Sequence, residues 1–386
     1  MSSHADVGLL APVIAGTAAE RLTSDAEVVS AMLRAESALL QALVATGLAP
    51  VSARLPAVDL DARELALEAV EGGNPAIPLV RRLRAAATPE AAEWVHFGAT
   101  SQDIVDTALM LVGSAVARRV ESDLTALAAV LAGLADSGRH VPMAGRTLTQ
   151  QAMPTTLGMR ASGWLAGVHD AVRTVRTCTT LPVSLGGPVG TAAAYGERGP
   201  AVLEAYAEAL GQRAAVSSWH TRRTPVVGLS TAMTIAGEAC GKIAADLLVM
   251  SQTEVGEARE GGGGASSSMP HKANPARSVL VAAAARQLPA LASVIAAAAA
   301  PEQERPAGAW HAEWQPLRGI LRLAGASAER TAVLLPEVRF DHDSMRRNLD
   351  LLVKRAGEDA AWVDAQTAHV DVWIDRVLTQ HQEVFA

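Results

Sequence analysis

The feature that most constrains the fold of this 386-residue chain is a regular apolar stripe between residues 229 and 250. Its members alternate in steps of four and three, which is the heptad pattern of helices that pack side by side. They are Leu229, Met233, Ala236, Cys240, Ile243, Leu247 and Met250. A second stripe with helical spacing runs from Leu109 to Leu134. The sequence therefore predicts long helices that pack along one face.

A third long apolar helix is predicted over residues 277–299, where alanine is frequent enough for helices to approach closely. These helices are too long, and too apolar on more than one side, for a small monomeric bundle. We therefore expect several of them to pack against copies from other subunits. Helix-start and helix-stop signals predict further helices. These cover residues 25–46, 60–70, 76–87, 104–135 and about 368–382.

The predicted fold class is all-α, because alanine and leucine dominate and strand signals are scarce. We expect a small N-terminal helical domain over residues 1–100. A central bundle of long helices would follow over residues 101–335, with a loop at 260–276. A shortened C-terminal helical region would cover residues 336–386.

Composition excludes several classes of function. A net charge of −7 and an aromatic content of 3% leave neither a basic field nor a stacking surface for nucleic acid. Two cysteines, Cys178 and Cys240, do not make a disulfide framework, and the sequence shows no zinc-ligand spacing. The N-terminus lacks the pattern of a signal peptide. Arg286 and Glu302 flank the most apolar run, so no membrane span is expected, and a soluble cytoplasmic protein is predicted.

The chemistry is concentrated in residues 261–275, Gly-Gly-Gly-Gly-Ala-Ser-Ser-Ser-Met-Pro-His-Lys-Ala-Asn-Pro. Glycines give this stretch conformational freedom, and its prolines interrupt helix formation. One interpretation is a flexible linker. The other is an active-site lid that brings hydroxyls and a cation to a carboxylate. Lys272 favours the lid, because it is one of only three lysines in an arginine-rich chain.

Three other segments place polar residues beside glycine and proline. Residues 96–103 read His-Phe-Gly-Ala-Thr-Ser-Gln-Asp and precede a long helix, so Thr100 or Ser101 is expected to cap it. The same helix N-terminus would suit a carboxylate. Residues 145–156 and 304–314 are the other two segments, and each alone is compatible with an ordinary polar loop. A lone His311 is more often structural than catalytic.

Taken together, these segments resemble the fumarase/aspartase superfamily. Residues 266–275 match its signature SSxMPxKxNP at every defined position, and residues 96–103 and 145–154 resemble its first two conserved regions. The resemblance covers roughly residues 8–345. Within the superfamily, the motif at 304–314 and the start at 8–12 are most similar to the bacterial 3-carboxy-cis,cis-muconate cycloisomerase group.

The resemblance implies a homotetramer whose active sites are each assembled from three subunits, without metal or organic cofactor. It implies a small di- or tricarboxylate substrate, and neither nucleic acid nor membrane as a partner. Ser266 would be the carbon base, and Lys272 with Asn274 would stabilise an aci-carboxylate intermediate. The remaining residues would bind or orient the substrate. They are His96, Thr100, Ser101, Thr147, Gln150, Met269, Arg305 and His311.

Leu148 departs from the superfamily pattern, because most of its lyases carry histidine after Arg-Thr. An apolar side chain cannot move a proton, so amine and hydroxide leaving groups are disfavoured. A carboxylate leaves as a stable anion, which fits cycloisomerisation of 3-carboxy-cis,cis-muconate in protocatechuate catabolism by the β-ketoadipate pathway. Two alternatives stay open: a lyase that expels another stable anion, such as a nitrosuccinate lyase, and a non-catalytic structural paralogue. Ser266, Lys272 and Asn274 argue against the latter, whereas the short C-terminal region favours it.

Overall fold

The structure is a computed structural model that describes residues 8–261 and 272–385. Helices dominate the described part of the chain, as the sequence predicted. The helices that precede the central bundle have the following bounds. They are α1 (Ala18–Leu22), α2 (Asp25–Ala45), α3 (Ala62–Gly72), α4 (Ala76–Ala86) and α5 (Pro89–Ala92).

Longer helices form the centre of the molecule. They are α6 (Ser101–Ser137), α7 (Leu157–Arg176), α8 (Gly199–Ala209), α9 (Thr224–Met250), α10 (Ala276–Ala298) and α11 (Ala309–Leu334). Three more follow, α12 (His342–Ala356), α13 (Ala360–Thr367) and α14 (Val370–Phe385). Two antiparallel strand pairs complete the described fold. These are β1 (Pro142–Thr147) with β2 (Gln150–Thr156), and β3 (Ala258–Arg259) with β4 (Arg339–Phe340).

Local capping explains why several helices begin where they do. Ser24, Asp61 and Asp341 each accept a backbone N–H bond from the first turn of the following helix, at 3.2, 2.9 and 2.8 Å. Gly73 ends α3 with a φ of +72°, a left-handed conformation that glycine adopts without steric cost. The predicted bounds of the helices lie within a few residues of the observed ones.

Helices α6, α7, α9, α10 and α11 pack together as the central bundle. Every residue of the predicted stripe on α9 is buried in its core. Two glycines on α9 let α10 approach closely. A Cβ at Gly237 would lie 2.1 Å from Leu288 Cδ1, and one at Gly241 would lie 2.4 Å from Ala285 Cβ. These glycines let Leu288 and Ala285 of α10 pack directly against the backbone of α9.

Two helices, α2 and α10, are long and apolar enough by length and composition to cross a membrane. The expectation that Arg286 leaves the α10 run too short is therefore not supported. Core helices of soluble proteins share this length and composition, and half of the apolar stretch of α2 is buried. Only 28% of the apolar stretch of α10 is buried within the described chain. That subunits cover its outer face remains a prediction.

The elements outside the bundle pack on its two ends. Helices α1 and α2 contact α6, and α1 also contacts α11. Helix α12 packs on β1 and β2, α13 packs on β2, and α14 packs on α7 and α6. Residues 336–386 therefore contain three helices that lie against the hairpin and the bundle. The predicted division into three domains remains a prediction.

A pair of histidines joins the last helix to the bundle. His169 on α7 is fully buried, and its Nε2 lies 3.1 Å from Nδ1 of His381 on α14. Gln380 Oε1 lies 3.1 Å from the other ring nitrogen of His169. Burial lowers the pKa of both histidines, and each ring also faces the other. The neutral pair is therefore the form that the folded state prefers.

Acidification should weaken the attachment of α14. The unfolded chain binds protons with ordinary histidine pKa values near 6.5, above those of the folded pair, so stability is lost as pH falls below about 6.5. Denaturant melts followed by circular dichroism from pH 8 to 5 measure this slope. His381→Gln keeps a partner for His169 but removes one titrating ring, so its slope should be shallower. The exposed His342→Gln should retain the wild-type slope, and equal slopes in all three proteins would contradict the assignment.

Substitutions of two glycines on α7 should have opposite effects. A Cβ at Gly158 would lie 2.5 Å from the Ala135 carbonyl oxygen and 2.7 Å from the Arg139 nitrogen, and these backbone atoms cannot yield easily. Gly158→Ala should therefore lower the free energy of unfolding by about 1–3 kcal/mol. A Cβ at Gly163 would meet no other part of the described chain within 4 Å, so Gly163→Ala should raise the free energy of unfolding by up to about 1 kcal/mol through helix propensity. Urea denaturation measures both, and equal effects would show that the crossing of α6 and α7 is not tight at Gly158.

Candidate active site

The N-terminus of α6 carries the first group of candidate residues. Thr100 occupies the N-cap position and Ser101 is the first helical residue, as the sequence predicted. The Thr100 N–H donates to Asp103 Oδ2 at 3.0 Å, and the Asp103 N–H donates back to the Thr100 carbonyl at 2.9 Å. This reciprocal pair fixes the first turn of the helix. Its free N–H groups and positive dipole end favour an anion.

Asp103 also fixes a second loop beside this turn. Its Oδ1 accepts the backbone N–H of Gly186 at 2.8 Å and the hydroxyl of Ser184 at 3.2 Å. Its Oδ2 accepts the backbone N–H of Gly187 at 2.9 Å. Asp103 is fully buried, so these bonds replace the water that the carboxylate has lost. The turn at residues 186–187 is therefore held against the start of α6.

His220 provides the last donor to Asp103. Its Nε2 lies 2.6 Å from Asp103 Oδ1, and because a carboxylate accepts, Nε2 carries the proton. His220 is 3% exposed, and among the described residues its Nδ1 has no hydrogen-bond partner. The imidazole thus completes a set of five donors around one buried carboxylate.

Arg305 lies across the two segments that Asp103 holds. One guanidinium nitrogen donates to Thr100 Oγ1 at 2.7 Å and to the Pro188 carbonyl at 3.3 Å. The side chain is otherwise exposed, so the cation faces solvent at the N-terminus of α6. Two of the predicted substrate-binding residues, Arg305 and Thr100, are therefore in direct contact.

His96 lies four residues before Thr100 and is partly exposed. Its Nδ1 is 2.6 Å from Oε1 of Glu36, a buried residue of α2. His96 has a φ of +59°, which is uncommon for a residue other than glycine. The contact with Glu36 orients the ring and leaves Nε2 as the nitrogen that a substrate could meet.

A buried ion-pair network lies directly behind this surface. Arg223, immediately before α9, donates to both oxygens of Asp106 on α6 at 2.7 and 3.0 Å. It also donates to both oxygens of Glu313 on α11, with the shortest bond at 2.6 Å. Trp310 Nε1 adds a bond to Asp106 at 2.9 Å. Three helices are thus joined at one guanidinium.

The surroundings shift the pKa of two groups in this network, Arg223 and Glu313. Burial alone would lower the pKa of Arg223, but the charges of Asp106 and Glu313 outweigh it and raise that pKa. Arg223 therefore remains a cation at every relevant pH. Burial raises the pKa of Glu313 above its ordinary range, and the nearby Arg223 opposes that effect.

His311 lies in the first turn of α11 and is exposed. Its ring contacts those of Trp310 and Trp314, with centroid distances of 5.1 and 4.8 Å. Its Nε2 also faces the turn at Gly73, where an added Cβ would lie 3.6 Å away. The structure thus places His311 in an aromatic cluster at the start of α11, and its role in substrate binding remains a prediction.

The second predicted region forms a β-hairpin. Thr147 and Gln150 pair across its tip, and Leu148 and Thr149 make the two-residue turn with φ values of +48° and +68°. Leu148 is 96% exposed. Within the described residues, no hydrogen bond or ion pair joins this tip to Thr100 or its neighbours. One chain alone therefore does not bring Thr147 and Gln150 to that cluster.

A second carboxylate anchors the hairpin. Glu257 is fully buried and makes two bonds to Arg146 of β1, at 2.7 and 2.9 Å. Asn348 of α12 donates to the same carboxylate at 2.8 Å and to the Val255 carbonyl at 2.9 Å. The bidentate pair fixes the direction in which β1 leads to the tip.

Of the signature segment at residues 266–275, the structure describes only the last four residues, 272–275. Ser266 and Met269 lie outside the described residues, so their roles remain predictions. Lys272 is exposed, and the Asn274 carbonyl accepts the N–H of Ala276 at the start of α10. Glu260 accepts the N–H groups of Arg277 and Ser278 at 3.1 and 2.8 Å. Both ends of the segment thus meet at the N-terminus of α10.

The comparisons with known proteins agree with this architecture. A family model described as lyase matches residues 66–289. Nitrosuccinate lyase of Streptomyces davaonensis is 45% identical over 91% of this chain and 78% of its own length. A 3-carboxy-cis,cis-muconate cycloisomerase of Pseudomonas aeruginosa is 38% identical over 88% of this chain and 80% of its own length.

A solved structure shows the same relationship in three dimensions. The 3-carboxy-cis,cis-muconate lactonizing enzyme of Pseudomonas putida superposes with a TM-score of 0.87 and 30% identity. The superposition covers 98% of this chain and 100% of the P. putida chain. The chain therefore belongs to the lyase family, the fumarase/aspartase superfamily. The family and the all-α fold that the sequence predicted are confirmed.

Sequence reasoning overlooked the residues behind the candidate surface. His220 and Arg223 precede α9 and lie outside the polar segments that the sequence analysis singled out. Glu313 lies in the segment 304–314, but no role was predicted for it. Asp103 is the last residue of the segment 96–103, and the sequence predicted no role for it. A signal was present in Asp103 and Asp106, because two carboxylates one turn apart in an apolar helix require partners.

Removing Arg223 should destabilise the protein strongly. Arg223→Met leaves Asp106 and Glu313 as buried carboxylates without their cation, and such losses cost about 3–5 kcal/mol. The matched control is Arg346→Met, whose exposed pair with Asp350 should contribute less than about 1 kcal/mol. Chemical denaturation at pH 7 measures both free energies of unfolding. Equal losses in the two variants would contradict a central role for Arg223.

Proposed function

We propose that this lyase interconverts 3-carboxy-cis,cis-muconate and 4-carboxymuconolactone. Relatives with the name 3-carboxy-cis,cis-muconate cycloisomerase at 37–38% identity, and the superposition with the P. putida enzyme, support this reaction. The observation that carries it is Leu148 at the hairpin tip, where most superfamily lyases place a histidine, because the site then requires a leaving group that is already a stable anion, as the lactone carboxylate is. The bacterial relatives also support a soluble protein of the cytoplasm. Protocatechuate breakdown would be its setting.

The proposed chemistry begins with proton removal from carbon. In the direction of lactone opening, Ser266 takes the proton beside a carboxylate, and the electron pair forms an aci-carboxylate dianion. Lys272 and Asn274 stabilise the developing charge. The dianion then collapses to a double bond and expels the ring carboxylate. A carboxylate leaves as a stable anion, so Leu148 does not need to donate a proton.

The N-terminus of α6 supplies a site for a second carboxylate. The dipole and N–H groups of that terminus attract an anion, while Thr100 and Ser101 offer hydroxyls beside the Arg305 cation. His96 is oriented by Glu36 and borders the same surface. Thr147 and Gln150 do not reach it within one chain, so we propose that another copy of a homotetramer contributes them. No metal or organic cofactor enters this scheme.

Elimination of nitrite from nitrosuccinate is the second candidate. The 45% identity to the S. davaonensis nitrosuccinate lyase favours it. Nitrosuccinate would lose the proton beside one carboxylate to Ser266, and cleavage of its C–N bond would release nitrite and leave fumarate. Nitrite is also a stable anion, so Leu148 is equally compatible with this reaction. Both candidates share the base, the intermediate and the absence of an acid at position 148.

Parallel assays of the two substrates separate the candidates. Loss of the conjugated diene absorbance follows lactonisation of 3-carboxymuconate, and nitrite release follows the elimination. We expect Ser266→Ala to lower kcat by about 10³-fold or more on the substrate that is used, because the base is lost. Ser268→Ala, at an undefined position of the signature, is the matched control and should retain turnover.

Each outcome has a distinct meaning. Turnover of nitrosuccinate alone would replace the first candidate with the second. Retained activity in Ser266→Ala would overturn the base assignment but not the reaction. Absence of turnover of both substrates by the wild-type protein would overturn both reactions and favour a structural paralogue.

A further inference from the structure

The Arg305 guanidinium at the candidate site is hydrogen-bonded to two groups, and the buried Asp103 carboxylate holds both of them in place. Arg305 donates to Thr100 Oγ1 and to the Pro188 carbonyl. Thr100 is bound to Asp103 through its own N–H, and the residue before Pro188, Gly187, is bound to the same carboxylate through its N–H. Both acceptors that locate Arg305 are therefore set by Asp103.

We propose that Asp103 is a positioning residue for substrate binding. It joins the first turn of α6 to the 186–188 loop and so holds the Arg305 guanidinium beside the Thr100 hydroxyl, where a substrate carboxylate would bind. His220 completes this role by donating to the same carboxylate. The assignment rests on the proposed function, because Arg305 and Thr100 are taken as substrate-binding residues there.

The residue at position 103 must accept hydrogen bonds at both of its side-chain oxygens. Oδ1 faces the backbone N–H of Gly186, and Oδ2 faces the backbone N–H groups of Thr100 and Gly187. An asparagine would direct its NH₂ group at one or more of these donors in either orientation. Asp103→Asn therefore keeps the size of the side chain but breaks at least one anchor, since two donors then face each other.

A purely structural carboxylate would behave differently from a positioning one. Loss of positioning acts on Arg305, so it should raise KM for the carboxylate substrate while kcat changes little. Its effect on KM should also be much smaller once Arg305 has been removed, because the cation that it positions is gone and only the first turn of α6 is left for it to hold. A general loss of packing would lower the amount of active protein, and its effect would be the same in both backgrounds.

The test is a double-mutant cycle of Asp103→Asn and Arg305→Ala in the full-length protein. We expect each single variant to raise KM by about 10-fold or more with kcat within about threefold, and the double variant to raise KM by much less than the product of the two single effects. Asp246→Asn is the matched control, since that carboxylate binds Trp164 and Lys242 away from Arg305. Its effect should be the same with and without Arg305. An additive effect of Asp103→Asn would overturn the proposal.

A second pair of variants covers the case in which Asp103→Asn fails to fold. His220→Gln retains a donor toward Asp103, whereas His220→Leu removes it. The leucine variant should raise KM clearly in the wild-type background and much less in Arg305→Ala, and glutamine should restore the wild-type KM. Equal KM values for the two variants would overturn the positioning role of the network.

Failure of this proposal and failure of the proposed reaction are distinguishable. The same cycle can be followed through binding of tricarballylate, an unreactive tricarboxylate, by isothermal titration calorimetry. Coupled losses of affinity in Asp103→Asn and Arg305→Ala would support positioning even if neither substrate is turned over. Turnover by the wild-type protein with additive losses would instead retain the reaction and reject the role of Asp103.

Discussion

The interaction on which the candidate site depends is the contact of Arg223 with two buried carboxylates. Asp106 lies on α6, Glu313 lies on α11, and Arg223 precedes α9, so one guanidinium sets the relative position of three helix starts. Its planar fork suits two bidentate partners at once. Thr100 lies six residues before Asp106, which is less than two turns of helix, and His311 is two residues before Glu313. The site is therefore built on a rigid junction between helices.

Buried charges of this kind contribute more to geometry than to net stability. Desolvation offsets much of the attraction between Arg223 and its partners, and a well-packed apolar trio of similar volume would often be as stable. What the network provides is one arrangement of the helices, because a displaced helix would leave a charge unpaired. Asp103 follows the same principle with backbone N–H groups and His220 as donors. Both carboxylates lie on α6, three residues apart, and each holds a different part of the surface.

The sequence predicted those parts of the fold that depend on local pattern. Apolar stripes located α6, α9 and α10, and Ser24 identified a helix start, because these signals lie within a few turns of chain. The partners of Asp103 and Arg223 were not predictable, because about 80 to 120 residues separate them from the groups that they bind. The sequence did not predict a hairpin at residues 142–156, because its turn is Leu148-Thr149 and lacks the asparagine and glycine that mark such turns. The expectation that Thr147 and Gln150 act with Thr100 of another subunit depends on the assembly of chains and remains a prediction.

The left-handed turn at Leu148 and Thr149 has a consequence for how this protein responds to engineering. Non-glycine residues at positive φ store strain, and an exposed leucine gains no burial within the chain to offset it. An Asn-Gly turn would relieve that strain, so a screen for thermal tolerance of the isolated subunit would favour replacement at the hairpin tip. The tip is also the segment between Thr147 and Gln150. A change at positions 148 and 149 that raises thermal tolerance would thus also alter the turn that sets the positions of Thr147 and Gln150.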